Sequence, residues 1–85
     1  MKETKTIMIG NVLKVMRKYK GFSQEEIAGR TGLDRTYISM LERNLKQPSI
    51  TSIFLIAEAL ESKPSEFVAE LEKEYKDYKI KRDTY

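Results

Sequence analysis

The chain has no cysteine and no histidine among its 85 residues. Without thiols there is no disulfide to staple the fold and no thiolate to hold a metal, and nothing points to an oxidising compartment. Without imidazole, zinc, haem and acid–base chemistry near neutral pH lose their usual ligand and proton carrier. Apolar runs are short, and none approaches the roughly 20 residues of a membrane span. The opening "MKETKTIMIG" has no apolar stretch ahead of a small-residue cleavage site. These absences predict a cytosolic protein that uses neither metal nor cofactor and binds no membrane; no small-molecule ligand is expected. At this length one core is near the lower limit of what can stabilise itself.

Strand patterning is missing too. No segment alternates apolar and polar residues over a strand's length; the spacing is three and four throughout. The expectation is an all-α chain of five helices and no strands. Ile9, Val12, Leu13 and Met16 mark a first helix over about 6–20, ended by Gly21. "SQEE" opens the second, with Ser23 and Glu26 at capping-box spacing, and Gly32 closes it near residue 31. Asp34 is placed to cap a third helix over 35–43, and Asn44 suits the left-handed residue that ends it. The only two prolines fall where helices start. Pro48 keeps "KQPS" out of helix ahead of a fourth over 50–61, and Pro64 begins a fifth that runs through Tyr75 toward Tyr78. Residues 1–85 read as one domain, with a core over about 7–71, a helical extension and tail over 72–85, and frayed ends at 1–5 and 82–85.

Charge is uneven. The net charge is +3, yet residues 1–22 hold six basic groups against the single acid Glu3, while 50–85 hold six against eight. A basic first third suits an anionic partner and equally suits a solvated helix.

The stretch "GLDRTYISMLERN", residues 32–44, says more. Only Gly32-Leu33-Asp34 separates the second helix from the third, which forces the steep crossing of a helix-turn-helix. Ala28 is small at the crossing, Gly32 supplies the turn, and Ile27, Leu33, Ile38 and Leu41 supply the apolar contacts. In that geometry the second helix of the pair enters the major groove with its first residues against base edges. Arg35 offers a fork matching guanine, and Thr36 a hydroxyl and a methyl. Tyr37 and Ser39 reach base edges or phosphate. Ser23 and Gln24, at a helix N-terminus, together with Arg43, Asn44, Lys46 and Gln47 after the reading helix, are placed to hold the phosphate backbone.

Plainer readings stand beside these. Arg35 can pair with Asp34 or another nearby acid, Tyr37 can be a core residue, Gln24 can be a simple first-turn residue, and Glu42 can form an ion pair with Arg43. Glu25 and Glu26 point about 100° apart on a helix, so they suit capping rather than acid–base catalysis. No pair of carboxylates must converge, and no enzyme is expected.

One short helix reads too few bases, so a dimer on a pseudo-palindromic DNA operator is expected. Helix four carries Ile50, Phe54 and Leu55 beyond its inward stripe. Leu55, Phe67, Leu71 and Tyr75 are the candidates for an isologous interface; the alternative is that helix five folds back and buries them internally.

With these residues in place, the chain resembles the lambda-repressor-like Cro/C1 (XRE) family of helix-turn-helix domains over about 7–71. "SQEEIAGRTGLDRTYISMLERN" and "QPSITSIFLIAEAL" carry that resemblance. More narrowly, "LDRTYIS" and "ERN" followed by Lys46 are similar to the controller proteins of bacterial restriction–modification systems. The resemblance implies a compact all-helical dimer on operators upstream of its own gene and the linked endonuclease gene. It implies activation at low protein levels, repression once further sites fill, and recruitment or blocking of RNA polymerase. It also implies base reading by Arg35 and Thr36 and a Tyr37 contact at a deformed step. Ser62 departs from the family's apolar residue at that place, and the tail runs longer than a minimal controller. Other readings stay open: a phage or chromosomal repressor, an antitoxin, or, in another class, a protein-interaction adaptor with the aromatic tail as its contact surface.

Overall fold

The structure, a computed structural model, describes residues 3–80. Its elements in chain order are β1 (Glu3–Lys5), α1 (Gly10–Tyr19), α2 (Gln24–Thr31), α3 (Arg35–Glu42), α4 (Ile50–Ala59), α5 (Pro64–Tyr75) and β2 (Tyr78–Ile80). The five expected helices are present, and their ends follow local chemistry. Ser23 accepts the Glu26 amide while the Glu26 carboxylate accepts the Ser23 amide, which completes the capping box of α2. Ser49 caps α4 through the Ser52 amide. Gly32 ends α2 at φ +76°, and Asn44 follows α3 at φ +59°. Asp34 sits at the N-cap position of α3, but its side chain makes no capping hydrogen bond.

One buried cluster joins all five helices. Leu13 of α1, Ile27 of α2, Ile38 and Leu41 of α3, Ile56 of α4, Leu60 just after it and Phe67 of α5 have no exposed surface. Each such side chain stabilises the fold by roughly 1.5–3 kcal/mol. Two of the proposed interface residues therefore go elsewhere. Phe67 is wholly buried and Leu71 is 9% exposed, so both belong to the core of their own chain. Folding α5 back covers an apolar stripe that the sequence had left without a partner. Leu55 and Tyr75 remain half-buried.

The expectation of no strands fails at the ends. β1 and β2 pair in parallel, with Glu3 opposite Tyr78 and Lys5 opposite Ile80. Residues 3–5 are thus not frayed, while 1–2 and 82–85 lie outside the described residues. Next to this pair, α1 starts at Gly10 rather than near residue 6, and α5 stops at Tyr75 rather than running on to Tyr78. The Tyr75 hydroxyl accepts the Met8 amide and donates to the Met8 carbonyl, both at 3.1 Å, and its ring meets Tyr78 edge-on at 6.0 Å. A lone strand pair is marginal in water. Here that hydroxyl pins the segment leading out of β1 onto the end of α5.

Candidate nucleic-acid interface

Three residues of turn set α3 across α2 and bring the first turns of both helices together. Thr31 fixes the turn: its hydroxyl donates to the Ile27 carbonyl at 2.8 Å and accepts the Leu33 amide at 3.1 Å. Ile38 and Leu41 anchor the inner face of α3. Arg35 and Thr36 are left exposed on its first turn, with Ser39 half-buried one turn on. Tyr37 is half-buried and packs against the core, so its ring is largely structural and only its outer part faces solvent.

Arg35 does not pair with Asp34. Its Nε lies 3.5 Å from a Glu25 carboxylate oxygen, and its Nη1 donates to the Gln24 carbonyl oxygen across a long 3.4 Å. Both charged side chains of the pair are more than half exposed, so the hold is weak and easily exchanged for another acceptor. Gln24 is held more firmly on its other end. Its Nε2 donates to Glu42 Oε1 at 3.1 Å, which makes it a link in a network rather than a simple first-turn residue.

Glu42 is the centre of that network, and its partner is not Arg43. Arg17 of α1 donates from Nε at 2.6 Å and from Nη2 at 3.0 Å to the two carboxylate oxygens. A third guanidinium nitrogen donates to the Phe22 carbonyl at 2.8 Å. The side chains are 11% and 4% exposed, and donation to the Glu42 carboxylate raises the Arg17 guanidinium above its usual value. A forked, buried pair of this kind fixes geometry. It ties α1 to the end of α3, and through Gln24 it steadies the opening of α2. No local pattern announces it, because Arg17 and Glu42 are 25 residues apart.

The expected phosphate-holding residues divide. Ser23 already accepts from its own helix, keeping only its hydroxyl hydrogen to offer, and Glu25 and Glu26 place two negative charges in the same first turn. Arg43 and Lys46 are exposed after α3. Asn44 and Gln47 are turned to structural use: Asn44 Oδ1 accepts the Gly10 amide at 2.9 Å, and Gln47 Nε2 donates to the Ile7 carbonyl at 2.7 Å. Both fasten the loop after α3 onto the chain around the start of α1. The outer face of α4 is open: Ile50 is 67% and Phe54 56% exposed, with Leu55 half-buried beside them. Among the described residues no acidic cluster could hold a metal ion, and no helix is long and apolar enough to cross a membrane.

Comparison with known proteins agrees with this architecture. A helix-turn-helix family model matches residues 13–67. The control protein C.MunI from a Mycoplasma species is 39% identical over 69 residues, which is 80% of this chain and 93% of that protein. The regulator SinR of Bacillus subtilis is 40% identical over 55 residues, 64% of this chain but only half of SinR's own length. Among solved structures, the restriction–modification controller C.Esp1396I, crystallised as a tetramer with its natural 35-base-pair operator, superposes with a TM-score of 0.74. It is 42% identical and covers 79% of this chain and 88% of its own. With its short turn, the exposed first turn of α3 and these relatives, the chain belongs to the Cro/C1-type (XRE) helix-turn-helix family, among relatives that include restriction–modification controllers.

Proposed function

We propose that this protein is a sequence-specific, DNA-binding transcriptional regulator of the restriction–modification controller type, working in the cytoplasm as a homodimer on a pseudo-palindromic operator. The observation that carries the reading is the pair Arg35 and Thr36, exposed on the first turn of the second helix of the motif. There the guanidinium can fork onto guanine and the threonine can meet a base edge, each good bidentate contact discriminating by roughly 1–3 kcal/mol. Ser39 and the outer part of Tyr37 extend the reading face. Arg43, Lys46, and the hydroxyl of Ser23 hold phosphates, which gives affinity and salt dependence without sequence information. Two copies joined through the open face of α4, with Ile50, Phe54 and Leu55 meeting their counterparts, set two reading helices one turn of DNA apart. Occupancy then blocks or recruits RNA polymerase according to where the operator lies. The near end-to-end match to a controller supports this reading over a longer repressor or an antitoxin.

Fluorescence anisotropy on the DNA upstream of the gene, against scrambled DNA at two salt concentrations, tests the proposal. The native site should win at both salts. Arg35→Ala should erase that preference while weak, salt-sensitive binding survives. Equal binding of native and scrambled DNA by the unaltered protein would remove the operator from this site and favour the adaptor reading.

A further inference from the structure

On α1 and α5, the molecule carries an open groove of about 400 Å³ that none of the DNA-reading residues lines. Its floor is apolar. Val15 is 57% and Tyr19 87% exposed, and Met16 between them packs onto the core below. Its α5 wall is acidic: Glu66 and Glu70 line the groove, and Glu74 lines a smaller adjoining cavity of about 130 Å³ that shares Val15 and Met16. Spaced four apart, the three carboxylates run along one face of α5 for about 12 Å.

The wall keeps its charge. Glu66 accepts the Lys63 amide at 2.7 Å and Glu74 accepts the Asn11 side-chain amide at 2.6 Å, but both donors are neutral. Lys73 pairs with Glu70 at 2.8 Å, but both side chains are well exposed and such a pair is worth little. At the far end of the groove, which Lys20 and Glu61 also line, Lys20 and Arg30 reach Glu61 at 3.8 and 3.9 Å, so the acidic row that is open to a cationic helix is the α5 stretch beyond them. A row of carboxylates beside exposed aliphatic and aromatic surface repels nucleic-acid phosphates, so this face does not serve the polyanion that the opposite chemistry around Arg35 suits. It matches a cationic segment with an apolar side.

We infer that the α1–α5 groove docks a short basic amphipathic helix of a partner protein, its apolar side on Val15, Met16 and Tyr19 and its lysines or arginines along Glu66, Glu70 and Glu74. Two to three turns of helix cover the row, with apolar anchors at the i, i+3, i+4, i+7 spacing that helix-in-groove recognition uses. Charge sets the orientation and rejects acidic helices, and the buried apolar side supplies the affinity. A contact placed here leaves the reading helix free, so a DNA-bound copy can hold a partner at the same time.

The probe is a synthetic 15-residue peptide with leucines at those anchor positions and lysines flanking them, titrated in the absence of DNA into the isotope-labelled full chain. Saturable amide shifts should be confined to residues 11–20 and 61–74. Val15→Asp and the doubly substituted Glu70→Gln/Glu74→Gln chain should each weaken binding at least tenfold, and a peptide with glutamate in place of lysine should not bind. All three changed positions are at least partly exposed, so unchanged circular dichroism and unchanged operator affinity are expected and separate a lost contact from a lost fold. No saturable binding overturns the inference. So do shifts centred on α3 or on the outer face of α4, or equal binding by the substituted chains. Because the titration contains no DNA, its failure leaves the operator reading standing, and failure of operator binding leaves the groove standing.

Discussion

Asn44 and Gly10 lock the start of the first helix onto the end of α3. The Asn44 side-chain oxygen accepts the Gly10 amide at 2.9 Å, and Gly10 lies so close that a side chain there would stand 2.5 and 2.8 Å from the Glu42 and Leu41 carbonyl oxygens. Those oxygens are backbone and cannot swing aside. Gly10→Ala should therefore destabilise the fold by about 2 kcal/mol or more, the range of overpacking. Urea unfolding would register it as a lower midpoint with little change in slope; an unchanged midpoint would mean that the helices separate easily here.

The Arg17–Glu42 pair makes a second prediction about the same junction. Glu42→Ala strands a nearly buried guanidinium and should cost about 3–5 kcal/mol. The double change Arg17→Met/Glu42→Leu should recover most of that, since neither charge is then left alone. The Arg17 value is raised, so the stability it contributes is present below its unfolded value and disappears only at extreme alkaline pH. Thermal melts of the two variants, compared with the parent near neutral pH, decide the point.

Glu25 holds Arg35 loosely, at 3.5 Å and in solvent, and it adds negative charge near the expected phosphates. Glu25→Gln should raise affinity for native and scrambled DNA alike, by roughly two- to fivefold at low salt, with the gain fading as salt screens it. A gain on native DNA alone would assign Glu25 a part in reading sequence.

Phe54 is 56% exposed, and the proposed dimer buries it. Phe54→Glu should leave the melting temperature within a few degrees while weakening self-association by about thirtyfold, the effect of losing a central interface anchor. Sedimentation across a concentration series separates the two states; an unaltered dimer would move the interface away from α4.

The Tyr75 hydroxyl makes two hydrogen bonds to Met8, so Tyr75→Phe leaves a backbone amide and carbonyl to find other partners. A loss of about 1–2 kcal/mol is expected. Amide exchange should speed up first in residues 3–8 and 78–80, before the five helices respond.

How much of this was legible beforehand depended on how far apart the interacting groups lie. Helix positions, the Ser23–Glu26 box, the left-handed turns at Gly32 and Asn44 and the exposure of Arg35 and Thr36 could all be read from sequence. Each is set within one or two turns of chain, where spacing and residue chemistry suffice. Glu42 could be marked as an ion-pair residue, yet its neighbour Arg43 was the wrong partner, because Arg17 arrives from another helix and takes both carboxylate oxygens. Asn44 and Gln47 looked like phosphate ligands from their type and place. Only the path of the chain around Ile7 and Gly10 gave them backbone partners there.

The sequence by itself determined five helices, a three-residue turn that forces two of them to cross, and an arginine and threonine at the start of the second. Those features rest on local sterics and hydrogen bonding. Tertiary structure decided what covers each apolar stripe. Periodicity tells which side of α5 is apolar but not what meets it, and packing against α1 and α4 took Phe67 and Leu71 into the core while leaving Phe54 outside. It also decided that the two ends meet as β1 and β2, since strands of three residues have too few positions to show a pattern until a partner some 75 residues away supplies the hydrogen bonds.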